Sequence, residues 1–400
     1  MPVPLLRRLA ILIALIACLA AALPSAAQGQ QRPNISVQVY DYTQPVSLPT
    51  SYAAIFAPAN PTPLVRLEVE GNSFVRFSPD GRWIATVFGA DTTGSAKLTY
   101  GQVGGATFEI NSEPTFGIVG PIFSADSAYM SYTLTSFERL RWELVIVALA
   151  GNQRMTFVGP LVFDRSDIIG TPAVIGWSAD RTRVYIVGYG PHSAETVPFE
   201  LDLTPFVYGN ATPYELPTLR PLMARTALRP QMTYLVSDDG ALIVYSFSEP
   251  TRVVTNYAGF GDPFAGIGLL DVRTGQNTIL LTAPADEAIL GMGYATEANA
   301  LYYTTARFVE DPSIGIGVPI NVRLFRYDLE ARQNSGGNLL SPDPSLSIFS
   351  FAVCGDHAFY VANPLGSTEY TLFSASLVNL GQPTALLRGQ LGVNFGACVP

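Results

Sequence analysis

The stretch "FVRFSPDGRWIATVFGAD", residues 74–91, contains two apolar segments on either side of a Ser-Pro-Asp-Gly turn. Apolar and β-branched runs bounded by turn formers predict strands, and the tight turn between them predicts a β-hairpin. The same frame returns five more times, each with an acidic residue at the turn and an apolar residue three positions earlier. Starting from Asp80, the successive acids are Asp126, Asp180, Asp239, Glu297 and Asp356, at intervals of 46, 54, 59, 58 and 59 residues. Six copies at one spacing indicate a repeat architecture.

Two further strand-like segments follow each hairpin. "GIGLLDVRTGQ" and "NTILLT" come after Asp239, and "VRLFRYDLEAR" and "GNLLS" come after Glu297. Asp202, Asp271 and Asp328 end such third segments just before a turn, where a short carboxylate can accept hydrogen bonds from backbone N–H groups. Four short strands in a repeat of about 50 residues predict the blade of an all-β fold, the β-propeller.

The hairpin "VRFSPDGRWIA", followed by strands like "LLDVRTGQ" and "TILLT", resembles the TolB-type propeller repeat, a relative of the WD repeats. The resemblance covers residues 70–390 and implies the fold, but not the activity, since propellers serve both enzymes and binding proteins. Only Ser78 to Gly81 carries the full Ser-Pro-Asp-Gly. We interpret the repeated acids as turn-capping groups, because capping explains an acid in every copy whereas catalysis does not.

Strand-like sequence outside the six complete units predicts a seventh blade. "QLGVNFGACVP" resembles a first strand, with Phe395 in the place of Phe77, and "NISVQVYDY", "SYAAIFA" and "LVRLEV" supply three strands near the other end. One strand plus three would make a blade closed by the N- and C-terminal strands, and closure removes exposed sheet edges. We therefore expect a single seven-bladed domain over residues 35–400, preceded by a linker at 28–34. Six blades with loose terminal strands is the alternative.

The first 27 residues have the features of a secretory signal peptide. Arg7 and Arg8 precede an uncharged apolar stretch from Leu9 to Leu23, and small residues lead to a predicted cleavage site between Ala27 and Gln28. The alternative is lipidation at Cys18, since Leu-Ile-Ala-Cys resembles a bacterial lipobox. Both interpretations predict an extracytoplasmic protein, secreted or periplasmic, and no transmembrane segment is expected in the mature chain.

The composition excludes one class of partner and favours short strands. The formal charge is −9, and −11 without Arg7 and Arg8, so the chain lacks the basic patch that nucleic acids require. Charged residues make up only 14% of the sequence, which also contains 35 glycines and 31 prolines. Such a chain is typical of many strands and tight turns.

Catalytic and cofactor motifs are not recognised in the sequence. The two histidines, His192 and His357, fall in different repeats without the spacing of metal ligands or of a catalytic triad. We therefore predict no catalytic residue, no cofactor and no metal ligand, with calcium kept as a weak alternative because extracellular calcium suits oxygen-rich turns.

The predicted partner-binding site lies on two long connections between second and third strands, residues 248–266 and 307–321. Long loops on a rigid scaffold are where binding residues often lie, although the same aromatics could simply pack the loops down. The selected residues combine aromatic and charged side chains: Arg252, Tyr257, Phe260, Asp262, Phe264, Arg307, Glu310 and Asp311.

Three functions remain open at this stage. The first is a non-enzymatic propeller that binds a protein or glycan through its loop face; the second is a hydrolase or lyase with carboxylates in the central funnel; the third is a structural envelope protein. We also predict a disulfide between Cys354 and Cys398, which would be the two cysteines left after signal removal in an oxidising compartment. Adjacent first strands near the propeller axis can bring them within bonding distance.

Overall fold

The computed structural model describes residues 33–43, 50–69, 73–89, 96–111, 117–136, 139–160, 171–189, 197–223, 229–249, 251–255, 263–295, 299–311 and 315–400. Within these ranges there are 29 strands, and no helix long and apolar enough to cross a membrane. The predicted signal peptide, its cleavage site and Cys18 lie outside the described residues, as do His192 and Glu297.

The strands form seven separate sheets that follow one another along the chain. Their bounds are β1 (Asn34–Asp41), β2 (Thr50–Phe56), β3 (Val65–Val69), β4 (Ser73–Phe77), β5 (Trp83–Phe88), β6 (Lys97–Gln102), β7 (Thr107–Asn111), β8 (Gly117–Phe123), β9 (Tyr129–Ser136), β10 (Arg141–Ala148), β11 (Gln153–Pro160), β12 (Thr171–Trp177), β13 (Arg183–Tyr189), β14 (Phe199–Asp202), β15 (Tyr214–Glu215), β16 (Arg220–Pro221), β17 (Arg229–Val236), β18 (Leu242–Ser248), β19 (Phe264–Asp271), β20 (Asn277–Thr282), β21 (Ala288–Ala295), β22 (Ala300–Asp311), β23 (Ile316–Asp328), β24 (Gln333–Leu339), β25 (Ser347–Cys354), β26 (His357–Asn363), β27 (Tyr370–Ser376), β28 (Asn379–Gly389) and β29 (Leu391–Val399).

Each sheet is one blade of a propeller. Blades 1 to 6 begin with the strands β4, β8, β12, β17, β21 and β25, and blade 7 has the order β29-β1-β2-β3. The first strand of each blade is the inner one, and at six of the seven seams it contacts the first strand of the next blade: 1 with 2, 2 with 3, 3 with 4, 5 with 6, 6 with 7 and 7 with 1. The predicted all-β, seven-bladed architecture is confirmed, and the six-blade alternative is wrong.

The terminal strands close the ring within blade 7. β29 pairs antiparallel with β1, with Val393 opposite Val39 and Leu391 opposite Asp41, and β1 pairs in turn with β2. The predicted closure is therefore confirmed. β1 begins at Asn34, one residue before the boundary expected from the sequence.

The hydrophobic core is divided among the seams between blades. Each of seven clusters of buried side chains takes residues from two neighbouring blades. In β13, Val184 and Ile186 lie in the cluster shared with blade 2, whereas Tyr185 between them lies in the cluster shared with blade 4. Successive side chains of a strand point to opposite faces of the sheet, so an apolar second strand serves two seams at once.

Blade 2 departs from the four-stranded pattern that the sequence predicts. β15, which lies between the third and fourth strands of blade 3, pairs in parallel with β11 as a fifth strand of blade 2. Tyr214 of β15 and Phe206 pack on Phe157 of β11, with ring centroids 5.9 Å and 4.8 Å from that ring. These aromatic contacts stabilise the position of β15 on blade 2. There β15 covers the outer edge of β11, which would otherwise be open to pairing with another strand.

Candidate functional site

Two faces of the propeller carry different kinds of connection. The turns between first and second strands lie at one end of the second strand and define the turn face. The connections between second and third strands lie at its other end and define the loop face, because consecutive strands run antiparallel.

The acids of the turn face cap their own turns in blades 1 to 4, as predicted. In blade 6 the structure instead places Asp356 Oδ1 2.7 Å from His357 Nδ1, and Glu297 lies outside the described residues. In blade 3, Asp180 Oδ1 accepts hydrogen bonds from Ser178 Oγ at 2.7 Å and from the Thr182 backbone N–H at 3.1 Å. Asp80, Asp126 and Asp239 accept the corresponding pairs of hydrogen bonds in blades 1, 2 and 4. These carboxylates are engaged in local structure, and each of them follows the same geometry.

The aspartates that end third strands cap the following turns in the same way. Asp271 accepts from the N–H groups of Arg273 and Thr274, and Asp328 from those of Glu330 and Ala331. Asp202 accepts from the N–H of Thr204 at 2.9 Å. The predicted capping role is confirmed for all three.

Hydrogen bonding also sets the electrostatics of the described carboxyl groups. The hydroxyl of Ser178 and the hydroxyl and backbone N–H of Thr182 lower the pKa of Asp180 to about 2. Every described carboxyl group whose pKa departs from its ordinary value departs downwards: Asp41, Asp126, Asp180, Asp202, Asp271, Asp328 and Asp343. In the same part of the chain, no group of three His, Cys, Asp or Glu side chains is arranged to hold a metal ion.

The predicted loop at 307–321 is wrong as a loop. β22 and β23 stay paired as far as Asp311 and Ile316, so the two strands form an arm that extends the blade and leaves only residues 312–315 between them. The arm is a ribbon with one packed face: Phe308 packs against the core shared by blades 5 and 6, and Val318 is buried. Burial of that face explains why the strands continue, since an isolated ribbon is only marginally stable.

The arm is fastened at its tip and at its base. Near the tip, Asp311 is 4% exposed, and its Oδ2 accepts a hydrogen bond from the Gly366 N–H of blade 6 at 3.0 Å. At the base, Arg307 forms an ion pair with Asp286 at 2.9 Å and lies 3.8 Å from Glu287 Oε1. Of the arm residues predicted to bind a partner, Arg307 and Glu310 are exposed, whereas Asp311 is buried under the neighbouring turn.

Arg252 is brought to the same place from blade 4. Its guanidinium donates to the carbonyl oxygens of Ala283 and Glu287, at 3.0 Å and 2.6 Å, and also to that of Pro284. Arg252 and Arg307 thus both bind to the link between blades 4 and 5. Arg252 donates hydrogen bonds to its backbone carbonyl oxygens, and Arg307 pairs with its carboxylates. Both arginines tie connections of the loop face together.

The remaining predicted residues divide into two groups. Phe264 is half-buried at the start of β19 and packs against the core shared by blades 4 and 5. Tyr257, Phe260 and Asp262 lie outside the described residues, and their contribution stays a prediction.

Sequence reasoning missed three exposed apolar side chains on neighbouring connections of the loop face. Val253 is 83% exposed in blade 4, Ile316 is 50% exposed at the tip of the arm, and Leu365 is 40% exposed in blade 6. We call these three residues the apolar ridge. No sequence signal separates them from apolar residues that pack inward, because irregular connections have no periodicity that marks an exposed face.

Residues next to the apolar ridge are joined by hydrogen bonds and an ion pair. Val253 follows Arg252, which hydrogen-bonds to the Glu287 carbonyl, and the Glu287 carboxylate lies beside Arg307 of the arm. Ile316 is paired with Asp311, which holds the N–H of Gly366 next to Leu365. Connections of three neighbouring blades are therefore linked on the loop face.

Comparison with known proteins identifies the fold and leaves the family open. No family model and no curated protein matches the chain. Among solved structures, the β-propeller domain of the trilobed protease from Pyrococcus furiosus matches with a TM-score of 0.52 and 13% identity, over 89% of this chain and 94% of that one. That domain is described as having an open velcro topology, whereas here β29 and β1 close the ring.

Two further structures are propeller-containing proteins of other kinds. An acylaminoacyl peptidase, in complex with Z-Gly-Gly-Phe-chloromethyl ketone, matches with a TM-score of 0.52 and 12% identity over 85% of this chain but only 48% of its own. The putative TolB from Agrobacterium tumefaciens matches with a TM-score of 0.41 and 14% identity, over 77% of this chain and 89% of that one. The two matches with a TM-score of 0.52 support the propeller fold alone, and membership of the TolB-type family is not established.

Proposed function

We propose that this protein is an extracytoplasmic, non-enzymatic binding module that recognises a partner protein through its loop face. The observation that carries the proposal is the apolar ridge of Val253, Ile316 and Leu365, three exposed apolar side chains on adjacent blades. Exposed apolar surface rimmed by polar residues is typical of protein–protein interaction sites. Arg307 and Glu310 supply such a rim, and a glycan would favour polar groups and aromatic faces over aliphatic side chains.

The rigidity of the surface supports the same function. Asp311 and Gly366 join the arm to blade 6, and Arg307 joins it to Asp286. A surface whose side chains are held in place before binding loses less conformational entropy on association. The arm strand paired with Ile316 is therefore held to blade 6, next to Leu365, through Asp311 and Gly366.

The paired cysteines support an oxidising compartment. Cys354 and Cys398 lie at disulfide distance, with Cα atoms 5.4 Å apart. Structural disulfides persist outside the cytoplasm, and the signal-peptide features of the first 27 residues agree with export.

Site-specific photocrosslinking tests the proposal. A photoreactive phenylalanine analogue replaces Val253, Ile316 or Leu365 in the exported protein, and the matched control replaces Val378, which is 92% exposed on the connection between strands 3 and 4 of blade 6. We expect an adduct of one defined mass from the apolar ridge and none from position 378. Absence of adducts from all three positions, or the same adducts from position 378, would contradict the proposal.

Reconstitution with the purified partner completes the test. Replacing Val253, Ile316 and Leu365 by Ser should weaken binding at least about tenfold, because apolar anchors dominate such interfaces. The Val378→Ser control should bind normally. If a soluble glycan competes for the ridge and no protein does, the partner class is wrong.

A further inference from the structure

The inner wall of the ring has a charge distribution unlike that of the whole chain. The net charge is −9, yet none of the seven inner strands contains an aspartate or a glutamate. The charged residues in these described strands are Arg76 of β4 and Arg229, the first residue of β17. Among inner-strand residues whose side chains the structure describes, the charged one is Arg76.

Arg76 stands apart from its equivalents around the ring. Arg76 lies two residues before Ser78, the first residue of the turn. At the equivalent position the other six inner strands have uncharged residues: Ile122, Gly176, Leu235, Gly293, Ala352 and Asn394. A single guanidinium is thus surrounded, at its level of the ring, by uncharged and mostly apolar positions.

Among the described residues, Arg76 makes one hydrogen bond and one ring contact. Nη1 donates a hydrogen bond to the Phe395 carbonyl oxygen of β29 at 2.9 Å, and the guanidinium carbon lies 4.7 Å from the ring centroid of Phe74. A guanidinium has five N–H donors. In the described part of the chain, no carboxylate pairs with this half-buried side chain, and burial lowers its pKa without an opposing charge.

Arg181 on the turn face, in contrast, is matched by acceptors. Arg181, whose side chain is 14% exposed, donates to Asp126 Oδ2 at 2.8 Å and to the Ser178 carbonyl oxygen at 2.7 Å. A guanidinium in half-buried surroundings without a counter-ion favours uptake of an anion, because partial burial strengthens the attraction between the two charges. Arginine is also the side chain best suited to bind a planar carboxylate through two parallel hydrogen bonds.

We propose that Arg76 is the anion-binding residue of a ligand site on the axis of the propeller, and that the site takes an organic carboxylate with an apolar body. The carboxylate would pair with the free N–H groups of Arg76, and the apolar body would lie against uncharged inner-strand residues such as Ile122, Leu235 and Ala352. This site lies on the inner wall, away from the apolar ridge of the loop face. It therefore stands or falls independently of the proposed protein partner.

Fluorine NMR with a defined probe tests the site. We expect 4-fluorobenzoate to bind the wild-type protein saturably and its neutral isostere 4-fluorobenzamide to bind at least about tenfold more weakly, since charge-assisted hydrogen bonds are about twice as strong as neutral ones. Arg76→Gln should abolish the preference for the acid, and Arg76→Lys should retain part of it. The matched control Arg82→Gln removes an exposed arginine of the same hairpin and should leave binding unchanged. Equal binding of acid and amide, or unchanged binding in Arg76→Gln, would overturn the proposal.

A second variant keeps the test informative if Arg76→Gln does not fold. Asn394→Asp places a carboxylate next to Phe395, on the strand that Arg76 already contacts. An internal counter-ion should stabilise the seam and block 4-fluorobenzoate, so continued binding by Asn394→Asp would contradict the assignment of Arg76. The carboxylate could belong to the C-terminus of a polypeptide or to a free organic acid. A peptide with a free C-terminal carboxylate, with its C-terminal amide as the control, separates the two sources. If the peptide acid binds more tightly than 4-fluorobenzoate, the ligand is a polypeptide, and if it binds more weakly, the ligand is a free organic acid.

Discussion

The turns of blades 1 to 4 and the turn of blade 6 occupy the same place in the repeat but are held in different ways. In the first group a serine closes the turn: Ser78 Oγ accepts a hydrogen bond from the Trp83 N–H at 2.9 Å and donates one to Asp80 at 2.5 Å. Ser124, Ser178 and Ser237 repeat both contacts. In blade 6 the corresponding residue is Cys354, and it is bonded across the seam to Cys398.

The difference follows from how blade 7 is assembled. Its first strand, β29, and its second strand, β1, come from distant parts of the chain, so no turn connects them. No serine turn connects β29 to the next strand of its blade. Besides its pairing with β1, β29 is held by residues of the two neighbouring blades. Cys354 bonds it from blade 6, and Arg76 donates to its Phe395 carbonyl from blade 1. Local hydrogen bonds close turns within a segment, whereas a covalent link joins segments that are far apart in sequence.

Removing the disulfide should have the largest effect on stability. The two cysteines are 44 residues apart, and the chain-entropy model gives a stabilisation of about 4 kcal/mol for a loop of this size. We expect the Cys354→Ala/Cys398→Ala double variant to lose about that much free energy of unfolding, measured by urea denaturation.

A reductant provides the control for this variant. Wild-type protein in reductant should unfold at the same urea concentration as the double variant, and the variant should not respond to reductant at all. Equal stability of the two proteins without reductant would mean that hydrogen bonds alone hold β29.

The repeat, the closure and the cysteine pair could all be predicted from the sequence because each depends on local pattern or on elimination. The hairpin around Asp80 has a turn signal that survives in its copies, and aligning Phe395 with Phe77 identifies β29 as a first strand. Cys354 and Cys398 then fall on adjacent inner strands, so their pairing follows from ring order.

The candidate site could be predicted only in part, because its residues are brought together by contacts distant in sequence. Arg252 and Arg307 were selected as members of two loops, but their meeting at residues 284–287 depends on the path of the link between blades. Tyr214 joins blade 2 through tertiary packing that overrides its place between strands of blade 3. The continuation of β22 into an arm likewise depends on burial of Phe308 by another blade.

Breaking one serine turn should have an intermediate effect. Ser178→Ala removes the acceptor of the Arg183 N–H and the donor to Asp180, and we expect a loss of about 1–2 kcal/mol in the free energy of unfolding. Ser335→Ala, at an exposed serine of β24, is the matched control and should change stability by less than about 0.5 kcal/mol. If both variants unfold alike in urea, the serine turn does not hold blade 3.

The smallest expected effect is the acid sensitivity of Asp180. Its pKa in the folded protein is about 2, chiefly because Ser178 donates a hydrogen bond to it, and the ordinary value for an aspartate is about 3.9. A carboxyl group whose pKa is lowered by folding stabilises the protein above its unfolded pKa, and this stabilisation is lost as the pH falls through the folded pKa. Wild type should therefore exceed Asp180→Asn in the free energy of unfolding at pH 7, and the gap should close between about pH 4 and pH 2. Because Asp180 is exposed, solvent screening keeps the gap below about 1 kcal/mol. In the Ser178→Ala background the gap at pH 7 should be smaller than in the wild-type background. A gap that changes neither with pH nor with the loss of Ser178 would show that Asp180 does not stabilise this turn.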